Sequence, residues 1–222
     1  RSIAVKKPIY TEGIIFDLDG TLIDSTFQHF QAAMAVVEQL GGTPCNFSRY
    51  RNLLEHRTHC TLYQELGVRA DEAAIVKSFI SIWPDFSTTI TPMPGVYEAL
   101  QSLWGEGIVL GLVSGSQKDA VHAALHNFGL ANFFNAAYVY GSSKRALVRK
   151  DDAFAELMYA WRIHQPERIT VVGDMVTEMH AAKKHGMHAI GFLGGLGTRA
   201  MLQNAGAECC IRKLLTLAKI IS

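Results

Sequence analysis

Asp17 and Asp19 stand one residue apart at the end of the apolar run Gly13-Ile14-Ile15-Phe16, and Gly20-Thr21 follows them directly. Side chains alternate along a strand, so a strand here would aim both carboxylates to one side. Two like charges that close shift each other's pKa unless a cation or a proton holds them. Taken alone, the segment also reads as an Asp-Gly turn with capping carboxylates. Further polar groups sit at comparable places. Val109-Leu110-Gly111-Leu112-Val113 leads into Ser114-Gly115-Ser116, and Thr170-Val171-Val172-Gly173 leads into Asp174, with Glu178 behind it. Lys150 precedes a helical pattern that Asp151 or Asp152 is placed to cap. Singly, Ser114 reads as a turn residue, Lys150 as solvated surface and Asp174 as a helix cap. Together they bring a hydroxyl, an ammonium and several carboxylates to the ends of predicted strands or the starts of helices.

The elements that must position them follow from periodicity. Short apolar runs predict strands at 13–17, 108–114, 137–140, 169–173, 188–192 and 208–211. Helical patterns fall between them at 95–105, 118–128, 152–163, 178–185 and 198–205. Such alternation predicts an α/β fold with a doubly wound parallel sheet and right-handed crossovers. Ligands bind at the carboxyl ends of the strands in such sheets, the edge to which these polar residues map. One insertion breaks the alternation. Residues 24–91 hold no convincing strand; Phe30, Met34, Val37 and Leu40 keep helical spacing until Gly41-Gly42 stops the run. Helical pieces recur at 50–66 and 71–82, and Thr91-Pro92-Met93-Pro94-Gly95 punctuates the return to the sheet. The expected organisation is a catalytic core of 1–23 and 92–222, with 24–91 as an inserted helical cap.

Composition narrows the function classes. Acidic and basic residues nearly balance over 222 residues, at a formal charge of +1, which argues against a nucleic-acid-binding surface spread over the molecule. No uncharged apolar run of about 18 residues occurs, so no spanning helix is expected. Arg1 to Tyr10 lacks the apolar centre of a secretion signal, and Cys45, Cys60, Cys209 and Cys210 form no CxxC pair. Reduced packing cysteines in a cytoplasmic protein are expected. His122 and His126, one helical turn apart, read as a surface face, while His180, His185 and His188 share no helix face. Trp83, Trp104 and Trp161 read as packing residues.

From residue 13 to about 215 the chain resembles the haloacid dehalogenase superfamily, in particular its phosphatases with a helical cap inserted after the first motif. Asp17-Leu18-Asp19-Gly20-Thr21, continued by Leu22-Ile23-Asp24-Ser25, is similar to the first motif. Ser114 matches the second, Lys150 the third, and Gly173-Asp174 with Glu178 the fourth. Pro94-Gly95-Val96, Phe128-Gly129-Leu130 and Ala181-Ala182-Lys183-Lys184-His185-Gly186 also fit the family pattern. The resemblance implies Asp17 as nucleophile, forming an aspartyl-phosphate, and Asp19 as the acid and base. It implies Mg²⁺ held by the Asp17 carboxylate, the Asp19 main-chain carbonyl and Asp174, with Glu178 on a bound water or orienting the site. Ser114 and the Gly115 amide would hold phosphoryl oxygens and Lys150 would offset their charge, with Gly20 turning the chain and Thr21 beside the substrate. Glu178 stands where relatives usually have Asp, and Ser114-Gly115 where many carry Thr-Asn. Lys144 competes with Lys150, which is preferred because it directly precedes a helix and its interval to Asp174 is close to the family's usual one.

The expected activity is therefore Mg²⁺-dependent hydrolysis of a small phosphomonoester, of the phosphoglycolate or sugar-phosphate type, by a monomer or homodimer. A phosphomutase of the same superfamily is the alternative, followed by a phosphate-binding regulatory protein without turnover. Substrate choice is expected from the cap, whose most basic part is Arg49 to His59, with Arg57 first and His56 behind it. A solvated helix face is the competing reading for these two residues.

Overall fold

A computed structural model describes residues 8–56, 59–142 and 149–222, with the side chains of 55–60 outside that description. The chain divides into two compact units, Arg1–Asp24 with Pro92–Ser222 and the inserted Ser25–Thr91.

The first unit opens with β1 (Gly13–Phe16) and the two-residue β2 (Ile23–Asp24). The insert carries α1 (Thr26–Gln39), α2 (Phe47–His56), α3 (His59–Glu65) and α4 (Glu72–Ser87). After β3 (Thr91–Pro92), α5 (Val96–Gly105), β4 (Val109–Gln117), α6 (Lys118–Asn127), β5 (Val139–Ser142) and α7 (Lys150–Trp161) follow. β6 (Ile169–Gly173), α8 (Val176–His185), β7 (His188–Phe192), α9 (Arg199–Ala205), β8 (Cys209–Ile211) and α10 (Leu217–Ile220) complete the chain. Six parallel strands lie in the order β5-β4-β1-β6-β7-β8. From β1 the chain winds outward through β4 and β5, then returns to the other side of β1 as β6. The order thus reverses at β1, and a crevice opens at the carboxyl ends there.

Apolar residues cover both faces of the sheet, as parallel strands with helices on each side require. Ile15, Val113, Val171 and Ala189 pack with Phe154 and Leu157 of α7, Met179 and Ala182 of α8 and Leu202 of α9. The alternate residues Ile14, Phe16, Leu110, Leu112 and Val172 are equally buried, and Phe16 meets Phe134 edge to face. Trp161 lies close over the sheet: a Cβ on Gly13 would stand 2.7 Å from its ring, and one on Gly111 would stand 2.5 Å away. Only a residue without a side chain admits the indole there.

The insert is helical, as its pattern predicts. α1 packs on α4, where the His29 ring lies 4.2 Å from Trp83 and 5.7 Å from Phe79, centroid to centroid. Phe30 packs against Phe47 and Tyr50, and Asp71 caps α4 by accepting from the Ala74 amide at 2.8 Å. β2 and β3 were not expected; two residues are too short to show a period. Two other expectations fail. Trp104 is 62% exposed rather than packed. Neither Asp151 nor Asp152 caps α7, whose N-cap position is Arg149; Asp151 instead accepts from Lys184 at 2.5 Å and Asp152 pairs with Arg149 at 3.3 Å. Among the described residues no helix is long and apolar enough to cross a membrane.

Candidate active site

β1 ends at Phe16, but the Asp17 amide still donates to the Val172 carbonyl at 3.0 Å, so the strand ladder carries Asp17 to the rim of the sheet. The chain then turns. Gly20 takes the left-handed φ of 75° and its amide donates to Ile23 at 2.9 Å, a conformation that strains any residue with a side chain. Asp17 is buried and Asp19 half-buried.

Lys150, the first residue of α7, donates to Asp17 Oδ1 at 2.7 Å and also to Glu178 Oε1. Burial works against the ammonium, yet Asp17 and Glu178 outweigh it and hold Lys150 above the usual lysine pKa. Burial likewise pushes the Asp17 carboxyl up to about 7; Lys150 opposes this, while Glu178 and Asp19 add to it. Asp174 follows β6 and is 1% exposed. Its pKa is raised well above the ordinary value by burial, then by repulsion from Asp17 and Glu178.

Asp174 is fixed by groups from two loops. Thr21 donates to its Oδ1 at 3.4 Å, and the Leu196 amide donates to Oδ2 at 2.7 Å. The Gly197 amide bonds the Asp174 carbonyl at 2.9 Å. A Cβ on Gly195 would overlap the Asp174 carboxylate, so the loop after β7 approaches this closely only because it is glycine there. Glu178, in the first turn of α8, accepts from the Met175 amide at 3.0 Å and the Thr177 hydroxyl at 3.2 Å as well as from Lys150. The longer side chain thus reaches back to its own helix N-terminus while holding the lysine.

β4 brings the second motif to the same rim. Ser114 donates to Asp19 Oδ2 at 3.4 Å, and Ser116 donates to that oxygen at 2.7 Å. The Ser142 hydroxyl supports the loop by donating to the Gly115 carbonyl at 2.7 Å, and Gly115 itself faces open space. The structure therefore groups Asp17, Asp19, Thr21, Ser114, Lys150, Asp174 and Glu178. Arg57 and Lys144 lie outside the described residues, and His56 is helical but its side chain is not described. Ser116 and the Gly195-Leu196 loop were not predicted. Ser116 had a signal in its spacing from Ser114; Gly195 had none beyond a glycine-rich stretch.

The donors are all hard oxygens, and one ammonium faces three buried carboxylates. That uncompensated charge fits a hard divalent cation. Among the described residues no group of three His, Cys, Asp or Glu is placed to hold an ion by itself. A cation that keeps several waters and needs only one or two carboxylates fits this arrangement.

Comparison with known proteins agrees with the geometry. A phosphoglycolate phosphatase of Synechococcus elongatus is 26% identical over 86% of this chain and 88% of its own length. A phosphorylated-carbohydrate phosphatase of Thermotoga maritima is 26% identical over 90% and 94%. A haloacid dehalogenase-like hydrolase from Streptococcus pneumoniae superposes with a TM-score of 0.75 at 21% identity, covering 95% of this chain and 98% of that one. The family model for haloacid dehalogenase-like hydrolases matches residues 14–192, the span that carries Asp17, Asp19, Thr21, Ser114, Lys150, Asp174 and Glu178, and the chain belongs to that family.

Proposed function

We propose that this chain is a Mg²⁺-dependent phosphatase that hydrolyses a small phosphomonoester through an aspartyl-phosphate on Asp17. The observation that carries the reading is the division of labour between two carboxylates. Asp17 is buried and bound to an ammonium; Asp19 is bound instead to serine hydroxyls. The first is equipped as a nucleophile, the second to move a proton.

In the first half-reaction an Asp17 oxygen attacks phosphorus while the ester P–O bond breaks, and Asp19 gives its proton to the departing alkoxide. In the second half-reaction Asp19 takes a proton from water, which attacks the same phosphorus and frees Asp17. The Ser114 hydroxyl and the Gly115 amide hold phosphoryl oxygens, and Lys150 offsets their charge and favours the ionised form of Asp17. Asp17, Asp174 and the Asp19 carbonyl would hold Mg²⁺, with Glu178 tethering Lys150 and reaching a bound water. When bound, the cation offsets phosphoryl charge. The likeness to phosphoglycolate and phosphorylated-carbohydrate phosphatases supports a small carboxylated or sugar phosphate as substrate. We assign substrate choice to the insert, with Arg57 and His56 as its anion-binding residues, in a cytoplasmic monomer or homodimer that engages neither nucleic acid nor membrane.

Phosphate release from a panel of phosphorylated metabolites, with Mg²⁺ and with EDTA, tests the proposal. Hydrolysis that EDTA silences and Asp17→Asn abolishes is expected. Metal-independent hydrolysis, full activity in Asp17→Asn, or isomerisation without phosphate release would contradict it.

A further inference from the structure

We propose that Ser116 is the positioning residue for the acid–base carboxylate, so that the second motif of this chain holds two hydroxyls with separate jobs. The inference rests on the hydrolytic reading above. The strand pairing between β4 and β5 shifts register between Val113 and Gln117, and within that irregular stretch both serine hydroxyls reach Asp19 Oδ2. Their distances are unequal. Ser116 at 2.7 Å is within the range of a short O–H···O⁻ bond, whereas Ser114 at 3.4 Å is long. Ser114 Oγ also accepts the Ser116 amide at 3.0 Å, which fixes that oxygen beside Gly115. Ser114 is therefore placed for the phosphoryl group, and of the two serines it is Ser116 that makes the short bond to Asp19.

Fixing Oδ2 fixes the rotation of the whole carboxyl. Ser116 neither gains nor loses a proton: it donates to Oδ2 whether Asp19 is carrying the proton that goes to the leaving oxygen or has just given it up. What it controls is geometry at the moment the P–O bond breaks, when a misplaced acid cannot reach the departing oxygen. That requirement depends on the leaving group. An alkoxide needs the proton; p-nitrophenolate leaves without it.

The test measures kcat and KM of wild type, Ser116→Ala, Ser116→Thr and Asp19→Asn on an alkyl phosphate taken from the substrate panel and on p-nitrophenyl phosphate. The ratio of kcat/KM on the alkyl ester to kcat/KM on the aryl ester, which reports phosphoryl transfer to Asp17 and not the later hydrolysis common to both, falls about tenfold or more in Ser116→Ala. It falls further in Asp19→Asn, and Ser116→Thr restores it by returning the hydroxyl. Equal losses of kcat/KM on the two esters, or an unchanged ratio, overturn the assignment while leaving the hydrolytic reading intact. A wild type that hydrolyses neither ester overturns both.

Discussion

Replacing Gly195 by alanine should disable the site without touching any reacting group. A Cβ built there stands 2.7 Å from Asp174 Cβ and overlaps its carboxylate, where ordinary carbon contacts lie at about 3.5–4 Å. Relief takes a separation of about 1 Å. The Asp174 side chain is hemmed in by the Leu196 amide and by Thr21, and a carboxylate 1% exposed has no open space to enter. Gly195 is not in the left-handed region, so the alanine backbone is unstrained and the cost is steric. Overpacking of this kind costs about 1–3 kcal/mol, which lowers Tm by roughly 2–12 °C for a chain of this length. Misplacement by about 1 Å costs about a hundredfold in rate, and the concentration of Mg²⁺ for half-maximal activity should rise. Thermal unfolding together with Mg²⁺-dependent initial rates measures both. Wild-type activity and Mg²⁺ dependence in Gly195→Ala would refute the claim that the loop after β7 locks Asp174.

Other expectations concern packing and charge. Gly111→Ala should destabilise by about 1–3 kcal/mol through Trp161, visible as a lower urea midpoint, with Trp161→Phe partly suppressing the loss. Lys150→Met should cost about 3–5 kcal/mol in EDTA above the Asp17 pKa, because it leaves Asp17 and Glu178 without their cation; urea unfolding reports it, and a loss under 1 kcal/mol would count against the pairing. Asp17 has a raised folded pKa, so the folded state binds more protons than the unfolded one between 3.8 and about 7. Metal-free stability should therefore fall as pH rises through that window. Asp17→Asn should flatten the fall, leaving the part that Asp174 contributes.

Sequence reading reached the site where chemistry and strand ends coincide. Asp17, Ser114 and Asp174 each close an apolar run, and a parallel sheet brings such ends to one rim whatever its details. Ser116 stayed hidden because its place depends on a register shift in β4 that no alternation pattern records. Gly195 stayed hidden because its partner, Asp174, lies across a strand and a helix from it. Asp151 and Asp152 were misread because the helix begins at Lys150, ahead of its apolar pattern, which places both carboxylates inside the first turn rather than at the cap. Trp161 was legible as a packing residue, but not the pair of glycines that admits it.

The central claim is that Asp17 carries the phosphoryl group and Asp19 releases it, so the Asp19→Asn variant offers the sharpest measurement. With Mg²⁺ and p-nitrophenyl phosphate, a substrate that leaves without a proton, this variant should form the aspartyl-phosphate but hydrolyse it slowly. Acid quenching followed by peptide mass mapping should find one phosphate on the peptide containing Asp17. Phosphate on another residue, or an unmodified Asp17 peptide while nitrophenol is still being released, would contradict the account.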